Sequence, residues 1–223
     1  MSDSTTFRDL TGLSAVLRAS LGVYMAVAAI GLWSGWLEID LLQRAADGAT
    51  VTEAEAAASD SRQALLGGLN FLVILITGIM FLTWTYLSNR NARALGATGM
   101  HFTPGWAVGW YFIPVAMLWK PYQALKETLK ASHPDSIEDW RDAPPPTILP
   151  IWWTLWIVSA FVDQAVLRAA FRAETVEQLL ASSWIQLISN SLALPLGLVA
   201  IAIVGKLQRW QSERRQRLAL AAT

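Results

Sequence analysis

The 223-residue sequence contains no cysteine, two histidines and few charged side chains. Without cysteine there is no disulfide framework, thiolate nucleophile or cysteine-held cluster, so a metal site would have to be built from histidine or carboxylate. Charged residues make up 15% of the chain, against about 25% in a soluble domain. Basic and acidic residues balance at 17 each, so no global field recommends nucleic acid as a partner. The P-loop, GxSxG, GxGxxG and HExxH patterns are absent, which removes the common signatures of nucleotide, acyl-transfer and zinc chemistry. Neither histidine lies in the middle of an apolar run, which argues against a haem held between helices.

What is abundant is apolar surface. The hydrophobic fraction is 54%, above the roughly 45–50% of soluble domains. Charges are segregated, leaving uncharged stretches at 19–37, 63–89, 94–119, 143–162 and 178–205. Each approaches or exceeds the ~20 residues that a helix needs to cross hydrocarbon. The polar segment 1–10, with Asp3, Arg8 and Asp9, precedes the first run without a small-residue cleavage site, so that run is expected to be retained.

Four full spans are expected, near 18–38, 65–87, 148–166 and 184–205, giving an all-α membrane protein. Trp33 and Trp36 close the first span and Trp152, Trp153 and Trp156 open the third, positions that suit amphipathic indoles at a membrane interface. The stretch from Pro104 to Trp119 is apolar but interrupted by Pro104, Gly105, Gly109 and Pro114. If it crosses, the better orientation leaves 11 lysines and arginines inside and 6 outside; if it enters and leaves on one side, the division is 13 and 4. The positive-inside rule favours a re-entrant or interfacial element over a kinked fifth span, with a break near Val108 to Ile113. Both chain termini are then expected in the cytoplasm of a bacterial inner membrane. Pro121 suits the first turn of a following helix, whose lysines would lie among lipid headgroups. Pro144, Pro145 and Pro146 predict a stiff connector.

Two halves of the chain echo one another. Arg18, Leu32, Trp33, Asp40 and Thr52 recur 123 residues later as Arg141, Leu155, Trp156, Asp163 and Thr175. Thr52 with Glu55, and Thr175 with Gln178, have capping-box spacing. After a three-residue deletion Asn70 matches Asn190. The expected organisation is therefore two in-out-in hairpins, each with a short outer helix: 1–89, with an acidic external loop, and 148–207. Between them lies a cytoplasmic insert, 90–147, and a basic tail follows at 208–223.

Several groups carry candidate chemistry. Asp40, Asn70, Asp163 and Asn190 fall near the outer membrane boundary, where they would line a shared polar pocket or, more simply, bond between helices and sit among headgroups. Gly31 and Gly35 form a GxxxG pair, read equally as a close helix contact or as chance. His101, His133, Asp135, Glu138 and Asp139 have hard-metal or zinc chemistry, but their spacing favours solvated loop residues. Trp106, Trp110, Tyr111, Trp119, Lys120 and Tyr122 are candidate contacts for a lipid, a quinone ring or a membrane partner.

The run Pro104-Gly-Trp-Ala-Val-Gly-Trp-Tyr-Phe-Ile-Pro114, continued by Leu118, Trp119, Lys120, Pro121 and Tyr122, resembles an uncharacterised bacterial multi-pass membrane-protein family, domain of unknown function 4328. Met117 stands where that pattern often has asparagine. The resemblance implies a membrane setting and the Pro104–Tyr122 element as the defining feature; it supplies no catalytic residue, cofactor or metal. The reading that follows is a non-enzymatic accessory or scaffold subunit with the lipid bilayer, a larger membrane complex or a second copy as partner. The alternatives are a small-solute transporter or channel component and, third, a membrane enzyme with a cytoplasmic His/Asp site.

Overall fold

A computed structural model of the chain describes residues 6–135, 139–144 and 146–221. Six α-helices appear among them: α1 (Thr11–Ala46), α2 (Glu53–Ala94), α3 (Pro104–Gly109), α4 (Lys120–Ala131), α5 (Ile148–Ala170) and α6 (Val176–Ala221). No strand occurs among the described residues. Four helices, α1, α2, α5 and α6, are long and apolar enough to cross a membrane. The chain is thus an all-α, four-span membrane protein.

These helices are longer than the spans read from hydropathy, because good helix formers carry them past the apolar window. At the start of α2, Thr52 Oγ1 accepts from the Glu55 N–H at 3.2 Å while Glu55 Oε2 accepts from the Thr52 N–H at 2.9 Å. The same reciprocal bonds join Thr175 and Gln178 ahead of α6, both at 3.3 Å. Each capping box satisfies two donors that a helix start leaves open. The expected short outer helices are not separate elements; both boxes open the long helices themselves. The repeat breaks at its first pair. Arg18 lies inside α1, whereas Arg141 lies in a single 3-10 turn, Trp140–Asp142, ahead of α5.

Two glycines end helices. Gly48 and Gly96 adopt φ of +78° and +89° just beyond α1 and α2. The following residues close back, Ala49 N–H to Arg44 C=O and Ala97 N–H to Ala92 C=O, at 2.9 and 3.2 Å. This is the Schellman arrangement, which a residue with a Cβ would strain.

Two compact units emerge from the chain's internal contacts. The first comprises the described residues of Met1–Ala19, Thr77–Trp153 and Val199–Thr223; the second comprises Ser20–Ile76 and Thr154–Leu198. In unit 1, Asn91 on α2 holds the Arg8 backbone at both ends, accepting from its N–H at 2.9 Å and donating to its carbonyl at 2.7 Å. Gln211 on α6 donates to Ser88 C=O and to Ser132 Oγ, at 2.8 and 3.0 Å. Buried Arg214 donates to the carbonyls of Leu95, Ala131 and His133, at 3.2, 2.9 and 3.3 Å. A cation is favourable at these sites because it meets carbonyls that the ends of α2 and α4 leave unpaired. In the same unit Leu17, Trp84, Leu125, Leu129, Leu149 and Leu207 are all essentially inaccessible.

The Pro104–Trp119 stretch makes no long helix. Thr103 caps α3 through its hydroxyl, and Pro104 occupies the first turn, where its missing N–H costs nothing. One 3-10 turn, Trp110–Phe112, follows. Ile113 is extended, as the residue before a proline prefers. The chain then reverses at Val115, whose φ is +67° and ψ −55°, as Ala116 N–H bonds to Pro114 C=O at 2.8 Å. That is a γ-turn in the strained, positive-φ form, rare for a β-branched residue. The α-helical ladder ends within the expected window, at Gly109, and the reversal comes just beyond it.

In unit 2 the GxxxG pair makes a close helix contact. A Cβ on Gly31 would lie 2.7 Å from Asn190 Nδ2, and one on Gly35 would lie 3.1 Å from Leu187 Cδ1. A Cβ on Gly22 of the same helix meets nothing within 4 Å. Gly31→Leu should therefore destabilise the protein by ~1–3 kcal/mol through overpacking, whereas Gly22→Leu should leave it unchanged. Thermal unfolding in detergent checks the pair; equal melting temperatures would contradict the close α1–α6 contact.

Candidate functional site

Unit 1 carries a groove of about 600 Å³. Its aromatic wall follows from the sequence: Trp106 and Trp110 are one helical turn apart, so their rings stack at 4.8 Å between centroids. Gly109 permits this, since a Cβ there would press on the Trp106 ring at 3.3 Å. The Lys120 ammonium sits 5.6 Å from the Trp110 centroid and 5.8 Å from that of Phe102, within cation–π range. From α4 come Gln123, Lys126, Glu127 and Lys130. Glu127 is buried, and its carboxylate accepts from the Phe102 N–H at 3.1 Å. Trp140 closes the far wall, its indole donating to Thr98 C=O at 2.8 Å. Three lysines and one carboxylate, the latter already occupied by a backbone donor, thus line the groove, and the Lys130 ammonium donates to Arg141 C=O at 2.5 Å.

Of the six residues read as lipid or partner contacts, Trp106, Trp110 and Lys120 meet in this groove. Tyr111 turns away and meets Phe81 edge-on at 6.3 Å. Tyr122 packs 6.0 Å from Trp153, whose indole donates to Leu118 C=O at 3.0 Å. Trp119 does not line the groove and is 44% exposed. Sequence reasoning missed Phe102 and Trp140 as groove residues and took Lys126 and Lys130 only as headgroup contacts. The spacing of Gln123, Lys126, Glu127 and Lys130 along one face of α4 was the available signal for part of this set; nothing in the sequence marks Trp140.

Unit 2 holds a cavity lined by apolar surface and several polar side chains. One lobe, of about 250 Å³, is lined by Gly31, Glu38, Gln63, Asn70, Gln186 and Asn190, among others. A second, of about 400 Å³, shares Asn70, Gln186 and Asn190 and adds Tyr24, Phe71 and Asp163. Gln186 donates to Asn190 Oδ1 at 3.2 Å, and Ser189 donates to Asp163. Asn70, Asp163 and Asn190 therefore converge. Asp40 does not join them: it lies exposed in an ion pair with Arg44 at 3.2 Å, four residues along the same helix. Arg44 also reaches Glu55 at 3.3 Å. Gln63 and Gln186 were overlooked, although each lies at helical spacing from an asparagine, seven residues in one case and four in the other.

The two histidines lie in different surroundings. His101 lines the groove, while His133 meets the Trp210 ring at 4.6 Å and lies 3.9 Å from Asp135. Asp135 pairs with Arg217 at 2.7 Å, and Asp139 pairs with Arg141 at 3.2 Å. Glu138 lies outside the described residues. Among the described residues, no three histidines or carboxylates gather as a metal site would require.

A family model for a domain of unknown function, DUF4328, matches residues 47–209, well over half of the chain. The chain belongs to the DUF4328 family. No curated protein and no solved structure matches it. In this DUF4328 member the matched region contains every groove residue, together with the cavity residues on α2, α5 and α6. Tyr24, Gly31 and Glu38, all on α1, precede that region.

Asp139 anchors the turn that presents Trp140. The Arg141 N–H donates to its carboxylate at 2.9 Å, and this bond, followed by the Arg141 charge, holds the carboxyl below its ordinary value of 3.8. A carboxyl lowered on folding stabilises the turn fully above that ordinary value and loses the contribution as pH falls below it. Hydrogen exchange of the Arg141 amide should accordingly gain speed, relative to its unfolded rate, as pH drops below 3.8. Asp139→Ala should abolish that dependence; an unchanged pH profile in the variant would rule out this anchor.

Proposed function

We propose that this DUF4328 protein is a non-enzymatic accessory or scaffold subunit of the bacterial inner membrane that holds the headgroup of an anionic phospholipid in the unit 1 groove. The observation that carries this reading is the composition of the groove. Lys120, Lys126 and Lys130 line it together with Trp106, Trp110 and Phe102, and the Lys120 ammonium lies over the Trp110 and Phe102 rings. Ammonium groups attract phosphate, and indoles favour the level of lipid headgroups. Beside the groove the broken element exposes Phe112 at 70%, Val115 at 66% and Trp119 at 44%. Such apolar exposure on a segment too short to span fits an element lying in one leaflet, with its freed backbone groups turned to protein.

Sidedness follows from charge. Arg8, Asn91, Ser132 and Gln211 join the amino-terminal segment to the ends of α2, α4 and α6 within unit 1, which supports placing both chain ends and the insert on one face. The excess of lysine and arginine in those segments makes that face the cytoplasmic one. Partners beyond lipid, whether a larger complex or a second copy, would dock on the same insert.

Native mass spectrometry of the detergent-purified protein tests the lipid reading. Wild type should retain phosphatidylglycerol or cardiolipin over phosphatidylcholine. The double substitution Lys120→Gln, Lys126→Gln should weaken that retention at least tenfold, at ~1 kcal/mol for each lysine near a headgroup. Equal retention of zwitterionic lipid by wild type, or undiminished anionic lipid on the variant, would refute the proposal.

A further inference from the structure

Unit 2 contains an acid whose surroundings differ from those of its neighbours. Glu38 lies beside Arg62 at 3.8 Å, and Asp40 and Glu55 share Arg44 at 3.2 and 3.3 Å. Asp163 accepts from the Ser189 hydroxyl, and among the described residues no basic side chain forms an ion pair with it. It lies seven residues before the end of α5. Val158, Phe161 and Leu167 expose large apolar surface on both sides of it along α5, the pattern of a lipid-facing helix. A carboxylate there is costly unless a compensating charge arrives or a polar cavity receives it.

The cavity it lines is suited to one class of ligand. Its volume of about 400 Å³ and its walls of Tyr24, Phe71 and Ile74 are too large and too apolar for a bare metal ion, which needs several oxygen ligands at close range. Aromatic faces attract a diffuse positive charge. Asn70, Gln186 and Asn190 offer carboxamide oxygens that solvate a cation and amide hydrogens that do not neutralise it. We propose that this cavity binds a monovalent organic cation with an apolar body, such as a lipophilic amine or quaternary onium, with Asp163 as its counter-ion and Tyr24 and Phe71 as its walls. The site is independent of the phospholipid groove, which has the opposite charge and lies in unit 1.

Tetraphenylphosphonium is a suitable probe, because it has the charge and apolar bulk and donates no hydrogen bond that could anchor it elsewhere. Binding is measured on the full-length protein in nanodiscs of zwitterionic lipid only, which removes anionic headgroups as competing sites. Wild type should bind saturably, about one probe per chain. Asp163→Asn, which keeps an acceptor for Ser189, should weaken binding at least tenfold, while Asp40→Asn should leave it unaltered. Phe71→Ala replaces a residue that is two-thirds exposed, so it tests the wall without disturbing the fold and should weaken binding severalfold. Absence of saturable binding by wild type overturns the proposal. So does undiminished binding in both Asp163→Asn and Phe71→Ala, or equal loss in Asp40→Asn and Asp163→Asn.

Discussion

A peptide group that enters hydrocarbon has no water to bond, and leaving it unpaired costs several kcal/mol. That constraint shapes every element of this chain. α1, α2, α5 and α6 run unbroken, so that each interior N–H and C=O is satisfied within its own helix. Their exposed ends are finished where polar partners exist: capping boxes at Thr52 and Thr175, and Schellman turns at Gly48 and Gly96. Pro195 removes one donor from α6, yet the helix continues around it, since a single missing bond is tolerable where neighbouring polar groups or waters can compensate. The Pro104–Trp119 segment cannot meet the constraint as a helix. It uses short local bonds instead, and the indole of Trp153 takes the Leu118 carbonyl that its last turn presents.

The same accounting explains which features could be read from residues alone. Span number, the two capping boxes, the helix start at Pro121 and the interruption around Pro114 follow from local patterns: an uncharged run, a Thr-x-x-Glu spacing, a missing N–H. Each depends on a handful of consecutive residues. Helix lengths were underestimated because hydropathy marks the lipid-exposed part of a helix and not its solvated extension. Asp40 and Asp163 share a repeat position, yet they part because Arg44 is four residues from Asp40 and its repeat partner would be Leu167. The groove required tertiary knowledge, for Phe102 and Trp140 are brought to α4 by loops. The knot formed by Asn91, Gln211 and Arg214 was invisible for a related reason: residues more than 80 positions apart meet there, and such pairings leave no periodic trace.

Two polar features thus stand out against an apolar chain, and their charges are opposed. The unit 1 groove presents lysines beside indoles, a combination chemically suited to phosphate beside acyl chains. The unit 2 cavity presents Asp163 among carboxamides and aromatic walls, while its other carboxylate, Glu38, lies beside Arg62. Neither arrangement is required to fold four helices, since an apolar residue at Lys120 or Asp163 would remove a desolvation cost. Their presence is the reason to assign them binding roles.

All of this depends on four crossings with the insert on the same side as the chain ends. The chain has no native cysteine, so single substitutions can be labelled with an impermeant maleimide in intact and permeabilised cells. Ala57→Cys, in the first turns of α2, and Ala173→Cys, between α5 and α6, should react in intact cells. Gln123→Cys on α4 and Ala219→Cys near the end of α6 should react only after permeabilisation. Labelling of Gln123→Cys from outside would mean that Pro104–Trp119 crosses the bilayer, and would contradict the four-span fold with its one-sided insert.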